Sequence, residues 1–226
     1  MHAMDLMKEH GLLFGTSICY TRANIEAVTS DEFLRMISEK GARFGFYFHY
    51  MPVGNNAVLD LMPTMEQREY MIKRIREIRS PQCDIGFFPM DFQNDGEFVG
   101  GCIAGGRNYC HINANGDVEP CVFIHYSSAN IREVTLLEAL KQPLFMAYRD
   151  RQPFNSNHLR PCPMLENPEI LQEMIKETGA KSTDLQSPES AEHLCSKCKA
   201  YACEWEKTAD QLWKEHPHQQ KGYTNY

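Results

Sequence analysis

Nine cysteines in 226 residues constrain what this chain can fold into more than any other feature of its sequence. Cys19 and Cys83 come early, and the others all follow residue 100, at Cys102, Cys110, Cys121, Cys162, Cys195, Cys198 and Cys203. An odd number of cysteines fits a fully paired disulfide framework poorly. Thiols clustered in this way are typical of proteins that hold a metal ion or an iron–sulfur cluster.

Charge and hydropathy argue against a nucleic-acid-binding protein, a membrane-spanning protein and a secreted protein. A formal net charge of −7 argues against nucleic-acid binding, because such binding needs basic surface that releases phosphate counterions. No apolar run approaches the roughly 20 residues that span a bilayer. Asp5, Lys8 and Glu9 interrupt any signal-peptide-like segment. A cytoplasmic location is therefore expected, where thiols stay reduced, and this favours metal binding over disulfides.

Strand-like and helix-like segments alternate through the first hundred residues. Short apolar segments at 12–20, 44–51 and 83–90 predict strands. Between them, Thr29 with Glu32, and Thr64 with Gln67, are spaced as capping boxes at the starts of two helices. This order predicts parallel strands covered by helices. Three strands are too few for a barrel, so residues 1–98 are expected to be the second half of a larger, truncated α/β domain.

The pattern changes after residue 98 and predicts a small cysteine-rich α+β module at 99–226. Asn115-Gly116 between alternating segments indicates a β-hairpin. Thr135 with Glu138 begins a short helix, Asn167-Pro168 opens another, and Gly179 closes it. A final amphipathic helix follows a polar loop.

The candidate metal ligands are cysteines of this second module. Cys102 and Cys121 flank the hairpin, so both thiols can approach one site. Cys162 lies in a loop made rigid by prolines, and Cys195 and Cys198 form a C-x-x-C pair. Four thiolates suit zinc or a [4Fe–4S] cluster equally well by number, and spacing alone does not choose between them.

The other cysteines are expected to be bystanders. Cys203 falls on a different face from Cys195 and Cys198 if the last helix is continuous. Cys110, in the hairpin strand beside His111, is expected to pack in the core or in a pocket, and Cys19 and Cys83 are expected to be buried in strands. His216 and His218 are expected to be solvent-exposed and not to bind metal.

One stretch resembles a known family. The pattern C-x-A-G…I-N-x-x-G-D-V-x-P-C, then N-I-R-E-V-T-L-L-E-A-L-K-Q-P and a later P-C, is similar to the SPASM region over about residues 100–165. That region is the C-terminal auxiliary-cluster module of many radical S-adenosylmethionine (SAM) enzymes. The resemblance implies an auxiliary [4Fe–4S] cluster on Cys102, Cys121 and Cys162 with a fourth ligand from the tail. It also implies that residues 1–98 are the closing half of a partial (β/α) barrel.

The chain departs from that family in one respect. It contains no C-x-x-x-C-x-x-C, the motif of the cluster that cleaves SAM. SAM would then bind only in a complete parent enzyme, whose substrate would be a peptide or protein, and this chain alone would not initiate radicals. Two alternatives stay open: a non-catalytic zinc-binding scaffold or peptide-binding module, and a complete small α/β protein with buried cysteines.

Overall fold

A computed structural model describes residues 1–215, which divide into two units, each with its own core. The first unit consists of Met1–Tyr50 and Val58–Asp95, and the second of Met51–Ala57 and the chain from Gly96 onward. His216 and His218 lie outside the described residues.

The first unit contains a three-stranded parallel sheet in the order β1-β2-β3. Its elements in chain order are α1 (His2–Glu9), β1 (Gly15–Tyr20), α2 (Ile25–Thr29), α3 (Asp31–Glu39), β2 (Phe44–His49), a 3-10 turn (Leu59–Leu61), α4 (Met65–Ile78) and β3 (Phe88–Asp91). In the register, Gly15 lies opposite Phe44, which lies opposite Phe88. The predicted α/β architecture with parallel strands is confirmed.

Several of the predicted element boundaries are wrong. β1 begins at Gly15 and not at Leu12, and Leu12 and Leu13 are exposed. Ser30, not Thr29, caps α3 by accepting the Phe33 N–H at 3.2 Å. Thr29 instead ends α2 and donates its hydroxyl to the Ile25 carbonyl at 2.7 Å. The third strand begins at Phe88, because the Cys83 N–H closes a turn onto the Ser80 carbonyl at 3.1 Å and the chain becomes extended only later.

The helices pack on one face of this sheet. Tyr20, Leu34, Tyr47, Met71 and Ile75 are central to the core, and each is at most 2 % exposed. The opposite face carries Cys19 with several phenylalanines, so the prediction that Cys19 is buried is wrong. Cys83 is half-buried against the core.

The second unit joins a short hairpin to a group of helices. Its elements are α5 (Gly96–Val99), β4 (His111–Ile112), β5 (Val118–Glu119), β6 (Tyr126–Ser127), α6 (Leu136–Ala139), α7 (Pro143–Arg151), α8 (Pro168–Thr178), β7 (Lys181–Ser182) and α9 (Ala191–Glu215). β4 pairs antiparallel with β5 as predicted, and β6 pairs with β7. Helix α8 packs against both α7 and α9.

The last helix, α9, is continuous over 25 residues. Its buried face carries Leu194, Cys195, Cys198, Trp205 and Leu212. The Trp205 indole N–H donates to the Leu159 carbonyl at 2.9 Å, which anchors the helix to the loop before Cys162. None of the helices within residues 1–215 combines the length and apolar character needed to cross a membrane.

Candidate metal centre

Cys102 lies in a loop that neighbouring side chains hold in place. Gln152 donates from Nε2 to the carbonyls of Cys102 and Ala104, each at 3.1 Å. Arg107 donates from Nη1 to the Cys102 carbonyl at 3.0 Å. The Gly105 N–H donates to the carbonyl of Pro120 at 3.0 Å, which ties this loop to the residue that precedes Cys121.

Cys162 begins a second tight loop. Its N–H donates to the Glu166 carboxylate at 2.8 Å, and its carbonyl accepts from the Asn167 side chain at 3.1 Å. The N–H of Leu165 donates to the Cys162 Sγ at 3.4 Å. Glu166 is almost fully buried, at 2 % exposed, so this loop is fixed by a buried carboxylate.

Backbone amides near each of the three sulfurs lower the pKa of its thiol, against the larger effect of burial. These donors follow their cysteine by one to three residues: Ala104 for Cys102, Val122 and Phe123 for Cys121, and Met164 and Leu165 for Cys162. Groups of backbone N–H donors in turns form anion-binding concavities at many iron–sulfur sites. The local chain at each cysteine is therefore arranged to stabilise a thiolate.

The same three thiols influence one another. Burial raises the pKa of Cys121 to about 12, and the charge of Cys102 adds to the rise. Burial also raises the pKa of Cys162 well above its ordinary value, with added contributions from Glu166 and Cys102. Burial raises the pKa of Cys102 to about 11. The free thiols are thus protonated at neutral pH, and binding of a metal would release those protons.

Tyr148 on α7 packs against the loop that follows Cys102, because a Cβ added at Gly105 would lie 2.6 Å from its side chain. It is 0 % exposed, and its hydroxyl has no hydrogen-bond partner within residues 1–215. Burial raises its pKa, and the charges of Cys102, Cys162, Cys121 and Cys195 add to the rise. Buried hydroxyls nearly always have a partner, so an orphaned one requires an explanation. The charges that act on Tyr148 thus come from four thiols on four separate segments of the second unit.

The tail cysteines divide as the helix geometry predicts. Cys195 and Cys198 are both fully buried, whereas Cys203 is exposed on the other side of α9. Burial raises the pKa of Cys195 and of Cys198 to about 12 each. For Cys198 the next contribution is the charge of Cys195, so the two thiols are neighbours.

The remaining cysteines are not among those whose charges act on Tyr148. Cys110 is half-buried and packs against a small core of Val118, Ala139 and Phe145, while Cys19 and Cys83 belong to the first unit. Within the described part of the chain, no three His, Cys, Asp or Glu side chains form a group that could hold a metal ion as they stand. The thiols whose charges act on Tyr148 are therefore not an assembled ligand set.

Sequence reasoning missed Tyr148 and Glu166. Tyr148 continues the apolar face of α7 with Leu144 and Phe145, a pattern that predicts only core packing. Glu166 stands four residues after Cys162, and this spacing was the one available signal that its carboxylate could reach back to the cysteine.

A comparison with protein families matches residues 102–164 to SPASM, described as an iron-sulfur cluster-binding domain. The matched segment begins at Cys102 and includes Cys121, Tyr148 and Cys162. No curated protein and no solved structure matches the sequence. The family match supports iron–sulfur cluster binding by this segment, and it confirms the resemblance of the chain to the C-terminal SPASM portion of a radical SAM enzyme.

Proposed function

We propose that Cys102, Cys121, Cys162 and Cys195 ligate one auxiliary [4Fe–4S] cluster in the second unit. The observation that carries the proposal is the buried Tyr148 hydroxyl, which lacks a partner within residues 1–215 and belongs to a side chain packed against the loop that follows Cys102. Cys198, one helical turn from Cys195, is the alternative fourth ligand. Such a cluster, when bound, supplies single-electron transfer or a position for substrate.

The chain's own residues have three tasks at this site. The cysteines would provide the thiolate ligands, and the backbone amides that follow them would stabilise those thiolates. The face of α9 that includes Trp205 would exclude water from one side, since Trp205 is 0 % exposed. Solvent exposure and hydrogen bonds to sulfur are among the factors that set the potential of an iron–sulfur cluster.

At the level of the whole protein, we propose the C-terminal part of a radical SAM-type enzyme of the cytoplasm that modifies a peptide or protein. The first unit would then be part of a (β/α) barrel. Its parallel sheet supports this, because the face opposite the helices leaves Phe46 40 % and Phe88 53 % exposed, whereas parallel sheets are normally covered on both faces. Because the sequence has no C-x-x-x-C-x-x-C, the SAM-cleaving cluster would need ligands from elsewhere.

Cysteine variants test the cluster assignment. Each of Cys102→Ala, Cys121→Ala and Cys162→Ala should lower the iron and acid-labile sulfide content of the anaerobically purified chain, because each removes a ligand. Cys110→Ala is the matched control. Cys110 belongs to the same unit, but it packs against the apolar side chains of Val118, Ala139 and Phe145 and is not a proposed ligand. Unchanged iron and sulfide in Cys121→Ala would overturn the assignment. Retention of zinc without sulfide in the parent chain would favour the scaffold alternative.

A further inference from the structure

We infer that the Tyr148 hydroxyl donates a hydrogen bond to a sulfur of the bound cluster and thereby raises its reduction potential. The inference rests on the proposed cluster and gives Tyr148 a tuning role beyond it. Tyr148 is not a ligand in this account. It acts through one hydrogen bond to a cysteine sulfur that ligates the cluster.

Tyr148 differs from the other buried tyrosines in the hydrogen bonding of its hydroxyl. Tyr47 is equally buried, and its hydroxyl donates to the Val28 carbonyl at 2.7 Å. Tyr126 is 4 % exposed, and its hydroxyl donates to the Glu189 carbonyl. Tyr20 accepts from the Asn94 side chain at 3.2 Å. Buried tyrosines of this chain thus have partners, and Tyr148 differs by having none within residues 1–215.

The ring of Tyr148 cannot turn towards another hydrogen-bond partner. Helix α7 fixes the backbone, and the Tyr148 ring meets Phe154 edge-on at 5.2 Å between centroids. The Gly105 backbone also lies close to this side chain. A Cβ added at Gly105 would lie 2.6 Å from the Cβ, Cγ and Cδ1 atoms of Tyr148. Packing therefore holds the hydroxyl where it is.

Tyr148 packs against the chain that carries two of the cysteines. Gly105, which meets the Tyr148 side chain, lies three residues after Cys102, and its N–H donates to the carbonyl of Pro120, the residue before Cys121, at 3.0 Å. The charges of Cys102, Cys162, Cys121 and Cys195 also raise the pKa of Tyr148. A protonated thiol is a weak acceptor, whereas an ionised group makes a hydrogen bond about twice as strong as a neutral one. Cluster binding converts these thiols to thiolates, and so it supplies the acceptor that the buried hydroxyl needs.

Tyr148→Phe tests the inference because it removes only the hydroxyl. Hydrogen bonds to cluster sulfurs favour the reduced, more negative state, so their loss should shift the reduction potential to a more negative value. The potential is measured by anaerobic redox titration of the purified full chain, followed by visible absorbance and electron paramagnetic resonance. Tyr47→Phe is the matched control, since it removes a buried hydroxyl from the first unit and should leave the potential unchanged.

The possible outcomes separate this inference from the proposed function. A loaded Tyr148→Phe chain with the parental potential would overturn the tuning role and leave the cluster assignment intact. A parent chain that takes up no iron or sulfide would overturn both. If Tyr148→Phe fails to load, the parent grown with 3-fluorotyrosine keeps the ring and has a more acidic hydroxyl, which donates more strongly. Its potential should then shift to a more positive value, and an unchanged potential would contradict the inference.

Discussion

Gly105→Ala should destabilise the second unit far more than the same substitution at Gly179. Gly105 has a φ of +68°, and a Cβ added there would lie 2.6 Å from three atoms of the Tyr148 side chain. Gly179 has nearly the same φ, +66°, but nothing lies within 4 Å of its added Cβ. The two positions therefore share the backbone strain and differ in the steric clash.

The magnitudes follow from these two contributions. A left-handed conformation costs a residue with a Cβ about 1–2 kcal/mol, and the lower entropy of the unfolded chain offsets about 0.4–1 kcal/mol of that cost. The net loss at Gly179 is then about 1 kcal/mol. Overpacking a buried site adds about 1–3 kcal/mol. Tyr148 is 0 % exposed and cannot move aside easily, so we expect a loss of about 2–4 kcal/mol at Gly105.

Urea unfolding followed by tryptophan fluorescence measures this difference. The chain has two tryptophans, Trp205 and Trp213, and both lie on α9, so the signal reports the second unit. Parent and variants are compared at equal iron content. A Gly105→Ala variant no less stable than Gly179→Ala would refute the packing of this loop against Tyr148.

Three further predictions concern other parts of the chain. Burial and then the charge of Asp95 raise the pKa of Asp91 from 3.8 to about 7. The folded state thus binds a proton that the unfolded state releases, and the free energy of unfolding of the first unit should fall as the pH rises from about 4 to about 7. Asp91→Asn should flatten that dependence in urea titrations, and an unaltered slope would contradict it. Thr64→Ala should lower the free energy of unfolding of the first unit by about 1 kcal/mol, because it removes the capping box that Thr64 forms with Gln67. A loss below about 0.3 kcal/mol would contradict a stabilising role for this capping box. In the folded chain a maleimide should label Cys203 much faster than Cys198 when peptides are mapped by mass spectrometry, and equal rates would contradict the orientation of α9.

Local sequence signals predicted the elements whose cause is local. The Thr64 capping box, the Asn115-Gly116 turn and the Gly179 helix end each depend on a few neighbouring residues, and all three are present. The parallel order of the strands followed from the helices between them. These features need no knowledge of distant contacts.

The errors occur where a distant contact or the choice between two faces decides the outcome. Strand periodicity divides the side chains of β1 between two faces but does not show which face the helices cover. The sequence therefore predicts a buried Cys19, whereas Cys19 lies on the exposed face. Likewise, Tyr148 fits the apolar face of α7 whether or not its hydroxyl has a partner. Only the folded structure shows that Tyr148 packs against the loop that follows Cys102.

The most direct test of the central claim is the iron, sulfide and zinc content of the anaerobically purified chain, together with its absorbance spectrum. We expect about four irons and four sulfides per chain, as a [4Fe–4S] cluster requires, together with a broad absorbance band at about 400 nm. Zinc without sulfide, or no metal at all, would contradict it.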